Sequence, residues 1–110
     1  MNNILEDLGI VRHYVPLYHD TSDINGIGLF TPIDLNKGQV IGVSHAFYSG
    51  YWYMTTHGNY NHSETPNCKI INEGNINLIA AIKDIKRAGE LTVDYRESGY
   101  LEQPEEDWVK

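Results

Sequence analysis

Apolar residues in this chain come in short runs separated by turn-forming residues, a strand-like pattern rather than a helical one. Residues 10–18 mix β-branched, aromatic and polar side chains and predict a first strand. Asn25-Gly26 predicts a tight turn, because both residue types tolerate positive φ. After Lys37-Gly38, residues 40–43 form a short apolar run of strand type. Residues 68–72 and 76–82 flank Glu73-Gly74-Asn75 and predict a hairpin with a glycine in its loop. Residues 91–95 predict a last strand. No segment holds an apolar stripe over three helical turns, so helices are expected to be few and short, near Leu5 or Tyr51. The expected class is β-rich. The segment from Asp34 to Val40 is echoed from Asp84 to Leu91 with one residue inserted, each reading as strand exit, polar glycine turn and strand entry.

Length and composition narrow the picture. At 110 residues the chain is expected to form a single domain over 1–110, with a core at about 11–100 and a loosely held tail at 101–110. Hydrophobic residues make up 41% and charged residues 21%, the balance of a folded domain. A net charge of −7 disfavours direct nucleic-acid binding, which needs a basic face, and suits a cationic partner. No apolar run is long enough to span a membrane, and the start lacks the order of a secretory signal. Cys68 has no second cysteine to pair with and offers no thiolate cluster. An intracellular protein without a structural metal is expected, in the cytoplasm, or in the nucleus of a eukaryotic host.

The stretch Asn61-His62-Ser63-Glu64-Thr65-Pro66-Asn67-Cys68 is the richest in reactive side chains. Taken alone it reads as a polar loop whose Asn, Ser and Thr side chains tie down their own backbone. Its spacing is not that of zinc ligands, and neither a Ser-His-acid order nor a phosphate-binding glycine loop occurs elsewhere. A small barrel holding a metal or sugar through His45, His57 and His62 is an alternative reading.

Three ordered segments change that balance. Gly26-Ile27-Gly28-Leu29-Phe30, followed by Lys37-Gly38-Gln39-Val40-Ile41, resembles the early glycine motif of SET-domain lysine methyltransferases. Asn61-His62-Ser63 with Pro66-Asn67-Cys68 is similar to the family's asparagine-histidine-serine motif and the proline-asparagine after it. Gly89-Glu90-Leu91-Thr92-Val93-Asp94-Tyr95 resembles the terminal motif that ends in the catalytic tyrosine. In layout the chain looks most like the compact viral members, with a short insert and no cysteine-rich segment.

The resemblance implies small β-sheets with a pseudoknot-like threading of the C-terminal segment past the Asn-His loop. It implies S-adenosyl-L-methionine as cofactor, methyl transfer to the side-chain amine of a protein lysine, and Tyr95 as the catalytic residue. Cofactor contacts would come from Gly26, Ile27, Gly28, Leu29, Asn61, His62 and Tyr95, with Tyr100 stacking on adenine and Trp108 a second candidate. Tyr60, Val93 and Ile70 would contact the substrate, a protein with a basic lysine-containing segment. The compact viral members imply a homodimer. Val93 and Ile70 stand where the family carries a tunnel aromatic, so more than one methyl is expected unless Tyr48, Tyr60 or the 51–53 cluster fills that space. Tyr51-Trp52-Tyr53 has two readings, packing or lining of the peptide channel. Two motifs depart. Gly58, Asn59 and Tyr60 replace the arginine-phenylalanine-isoleucine lead, and Ser44 and Ala46 stand where tyrosine-x-glycine belongs, with Tyr48-Ser49-Gly50 four residues late. A SET-like module that grips a basic peptide without turnover is the competing reading.

Overall fold

The computed structural model describes residues 13–97. Eight strands run in the order β1 (Tyr18–Thr21), β2 (Ile27–Phe30), β3 (Val40–Tyr48), β4 (Tyr51–Met54), β5 (Asn61–His62), β6 (Cys68–Glu73), β7 (Ile76–Ala81) and β8 (Thr92–Val93). Among the described residues a single short 3-10 helix, Tyr95–Glu97, follows them. β1 and β2 form an antiparallel pair, and the remaining strands form one sheet in the order β4-β3-β7-β6-β8-β5.

Hairpins follow the turn chemistry. Glu73 pairs with Ile76, leaving Gly74-Asn75 as a two-residue turn with Gly74 at φ 71°. This is the expected hairpin of 68–72 and 76–82, one residue longer on its first strand and one shorter on its second. β3 runs far past the expected 40–43 and turns at Ser49-Gly50, both at positive φ, into β4. The Tyr48-Ser49-Gly50 segment is therefore a hairpin turn. Tyr51 begins a strand, not the expected helix; Leu5 lies outside the described residues. Strand pairing begins at Tyr18, so the expected strand at 10–18 is not formed over its described part. There Tyr14 and Val15 donate their N–H groups to the Ile41 carbonyl, and Val15 is buried. Asn25-Gly26 closes a five-residue loop, since Thr21 pairs with Ile27.

The echoed segments meet each other. Leu35 and Ile85 exchange backbone hydrogen bonds at 2.7 and 2.9 Å. The Lys37 N–H donates to the Asp84 carboxylate and the Arg87 N–H to the Asp34 carboxylate, both at 2.8 Å. Both leucine-type positions, Leu35 and Ile85, enter the core. The repeat is thus a reciprocal clamp, each aspartate satisfying the other turn's backbone.

The core gathers Leu29, Leu35, Ile41, Ile79, Leu91 and Val93, all 2% exposed or less. Leu91 and Val93 lie on the chain that threads between β5 and β6. Asn61 and His62 pair in parallel with Thr92 and Val93, and Cys68 pairs with Val93 on the other side. Burying both flanks of this two-residue strand fixes the segment on which Tyr95 sits. The last strand is shorter than the expected 91–95, because the backbone turns into the 3-10 helix at Tyr95.

Candidate active site

Tyr95 leaves β8 beside β5, and three contacts hold it. Its backbone N–H donates to His62 Nδ1 at 3.1 Å, so that ring nitrogen carries no proton. Its hydroxyl donates to the Tyr60 carbonyl at 2.8 Å. Its ring meets those of Tyr60 and His62, with centroids 6.0 and 5.1 Å away. Burial raises the pKa of the Tyr95 phenol. With its proton committed to a carbonyl, the oxygen keeps its lone pairs for other donors.

Asp94, buried next to it, is clamped by Arg96, which donates Nε to Oδ1 at 3.0 Å and Nη2 to Oδ2 at 2.8 Å. That bidentate bond is the main reason the Asp94 carboxyl is pushed down to about 2. Asn67 locks the threading from the other side. It donates Nδ2 to the Glu90 carbonyl at 2.7 Å and accepts the Thr92 N–H at 2.9 Å. The family-like proline-asparagine thus serves the backbone of the terminal segment.

Asn61 points the other way, toward the β1–β2 loop. Its Nδ2 donates to Glu90 Oε2, Ser22 Oγ and the Asn25 carbonyl. Gly28 completes this corner, because a Cβ there would overlap Glu90 Oε2. Alternation explains Glu90, since Leu91 faces the core and its neighbour faces out. Glu90 was not among the expected site residues, and no local pattern in the sequence marks it.

The other expected residues divide. Gly28, Asn61, His62, Tyr60 and Tyr95 form one continuous neighbourhood along β2, β5 and the end of β8. Ile27 is exposed on β2, and the Gly26 carbonyl accepts from Ser22 N–H inside the loop. Leu29 is fully buried and its carbonyl accepts from Leu91 N–H, which makes it a core and ladder residue. Val93 is buried in the core cluster, and Ile70 packs against the same cluster half-buried. Tyr60, also in that cluster, sets its ring against that of Tyr95. Tyr100 and Trp108 lie outside the described residues.

The histidines of the metal reading do not converge. His57 stacks on His13 with centroids 3.5 Å apart, His45 is edge-on to Tyr60, and His62 holds Tyr95. Burial pushes His45 down to about 4 from 6.5. A folded pKa below the unfolded one means the unfolded chain takes up the proton first as pH falls. Urea melts are therefore expected to show stability falling between pH 6.5 and 4, with a shallower fall in His45→Gln.

The SET domain family model matches residues 44–96, just under half of the chain. No curated protein matches. Among solved structures, a Plasmodium falciparum protein described as a candidate histone methyltransferase is similar with a TM-score of 0.62 and 22% identity, over 76% of this chain and 95% of that one. The Neurospora SET domain protein DIM-5, a histone lysine methyltransferase, gives a TM-score of 0.57 and 20% identity, over 82% of this chain and 55% of its own. A humanized mutant of the Chaetomium thermophilum Polycomb Repressive Complex 2, bound to the inhibitor GSK343, gives 0.59 and 23%, over 76% of this chain and 15% of that one. The chain thus spans about half of the second protein and a small part of the third. From the β-rich sheet order, the threaded β8 and these likenesses, the chain has the SET-domain fold.

Proposed function

We propose that this chain transfers a methyl group from S-adenosylmethionine to the side-chain amine of a lysine in a protein. The observation that carries the reading is Tyr95, held at the threaded end of β8 by His62 and Tyr60 with its hydroxyl oxygen left as an acceptor. The residues fit the cofactor: Gly28 lets the Glu90 carboxylate lie directly on β2, and the polar atoms of Asn61, Ser22 and Glu90 gather there. When bound, S-adenosylmethionine supplies the electrophilic methyl and a positive sulfonium.

A free lysine amine has a pKa of roughly 10.4, so it must shed a proton to solvent before it attacks. Desolvation in a closed channel favours that loss. The amine lone pair then forms the N–C bond as the C–S bond breaks. Tyr95, its phenol kept protonated by burial, orients rather than abstracts. Its oxygen can accept weak C–H contacts of about 0.5–1 kcal/mol each and the N–H of the incoming amine. Positioning of this kind supplies most of what such a displacement needs.

The net charge of −7 supports a substrate segment rich in basic residues. An intracellular setting and assembly as a homodimer complete the proposal. The binding-module reading keeps one observation: Ser44 is fully buried with its hydroxyl given to the Asn77 carbonyl, so no tyrosine stands at that position.

One experiment separates the two. Tritium from labelled S-adenosylmethionine is expected on lysines of basic candidate proteins, located by peptide mass spectrometry. Calorimetric binding of cofactor and peptide with no label transferred would favour the module. No heat with cofactor at millimolar concentration would exclude the enzyme.

A further inference from the structure

A net charge of −7 hides an uneven distribution. Lys37, Lys83, Lys86 and Arg87, half of the chain's eight Lys and Arg residues, lie in the two turns of the reciprocal clamp. The acids of those turns are Asp34 and Asp84, so residues 32–39 and 82–89 together carry +2 in a chain of −7. Pairing of Leu35 with Ile85 sets the turns side by side, and since these two side chains enter the core, their neighbours face outward. All four cations are exposed. Each aspartate spends an oxygen on the opposite turn's backbone, Asp84 on the Lys37 N–H and Asp34 on the Arg87 N–H. Among the described residues the ion pairs are those of Asp94 with His62 and Arg96, so no salt bridge holds the four cations. Glu90, the next acid along the chain, is turned away to Ser22 and Asn61.

Exposed acids stand elsewhere: Asp20 and Asp23 on β1 and its loop, Glu64 after β5 and Glu73 on β6. The whole-chain charge therefore disfavours an anionic partner only as an average. In the clamp turns Ile33 is the one large apolar side chain exposed, at 46%, so the face lacks the apolar centre around which a protein interface is built. Phosphates require no such centre, because long cationic side chains position a nucleic-acid backbone without a shaped pocket. A duplex carries a negative charge about every 1.7 Å along its axis, dense enough to engage several cations at once.

We propose that the clamp turns form a contact face for a nucleic-acid duplex, with Lys37, Lys83, Lys86 and Arg87 taking backbone phosphates without reading sequence. The face opens the segment that threads to the candidate site: Arg87 precedes Tyr95 by eight residues, at most about 29 Å of chain. A basic segment carried on nucleic acid would then meet the acidic remainder of the domain while the duplex rests on the clamp.

Fluorescence anisotropy of a labelled DNA duplex of about twenty base pairs tests this on the full chain. The native chain is expected to bind with a Kd of about 1–10 μM at roughly 25 mM salt, and to lose about 150-fold by roughly 100 mM, as four phosphate contacts require. Lys86→Gln and Lys69→Gln change the net charge equally, and both side chains are exposed, one on the clamp and one on β6. Lys86→Gln is expected to lower the salt slope by about one, and Lys69→Gln to leave it unchanged. Neither substitution touches a backbone bond of the clamp, and thermal melting checks that both variants are folded. No binding by the native chain at low salt would overturn the proposal without needing a variant. Equal losses in the two variants would assign binding to overall charge and overturn it as well. Tighter binding of a polyglutamate peptide than of the duplex would give the face to an acidic protein segment instead.

Discussion

Tyr95→Phe is expected to lower turnover by about two to three orders of magnitude, the loss seen when one preorganised polar group is taken from a reacting centre. The substitution removes a single oxygen from a half-buried ring and leaves the packing against Tyr60 and His62 in place. The Tyr60 carbonyl loses one donor, a cost of about 1 kcal/mol to stability. The backbone bond from Tyr95 N–H to His62 is untouched, so the threaded segment keeps its anchor. Cofactor binding measured by calorimetry should change little, and thermal melting should show a folded protein. Activity in the folded variant equal to that of the native chain would move the central role away from Tyr95. The pH profile carries a second check. Burial raises the phenol, so Tyr95 stays protonated through neutral pH, and the rate should climb with deprotonation of the substrate amine.

The parts of the fold that were readable in the sequence act through short, local rules. Gly74-Asn75 turns where a glycine at positive φ is needed, and the flanking strands alternate cleanly, so the β6–β7 hairpin was visible. The echo of Asp34 and Asp84 was visible too, because each carboxylate serves a turn and leaves the same letters behind. β4 was not visible. Tyr51-Trp52-Tyr53-Met54 is aromatic on both faces, and its turn places Ser49 at φ 52°, a conformation serine seldom adopts. The parallel pairing of β5 with β8 joins residues about thirty positions apart, which no periodicity reports. It entered only through resemblance to known motifs. Glu90 was hidden for a third reason. A lone carboxylate between a glycine and a leucine says nothing until the loop holding Ser22 and Asn25 folds onto it.

Gly58→Ala is expected to destabilise the fold by about 2–4 kcal/mol, and Gly58→Arg to prevent folding. A Cβ at residue 58 would overlap the Ser44 carbonyl oxygen and lie 2.5 Å from Met54 Cγ. Met54 can give way, but the carbonyl cannot. It accepts the Thr55 N–H at 2.9 Å, and Gly58 N–H in turn donates to the Thr55 carbonyl at 3.0 Å. Ser44 is fully buried and its hydroxyl is committed to the Asn77 carbonyl at 3.2 Å, so the strand under Gly58 is held from both sides. This contact joins the two places where the chain departs from the family pattern. The lead arginine falls on Gly58 and the motif tyrosine on Ser44, and here those two positions press backbone on backbone. With so close an approach to the Ser44 carbonyl, a side chain at 58 has no room. Chemical denaturation of Gly58→Ala, read as the urea midpoint against the native chain, measures the effect. A midpoint within error of the native value would mean that the 55–58 turn yields freely.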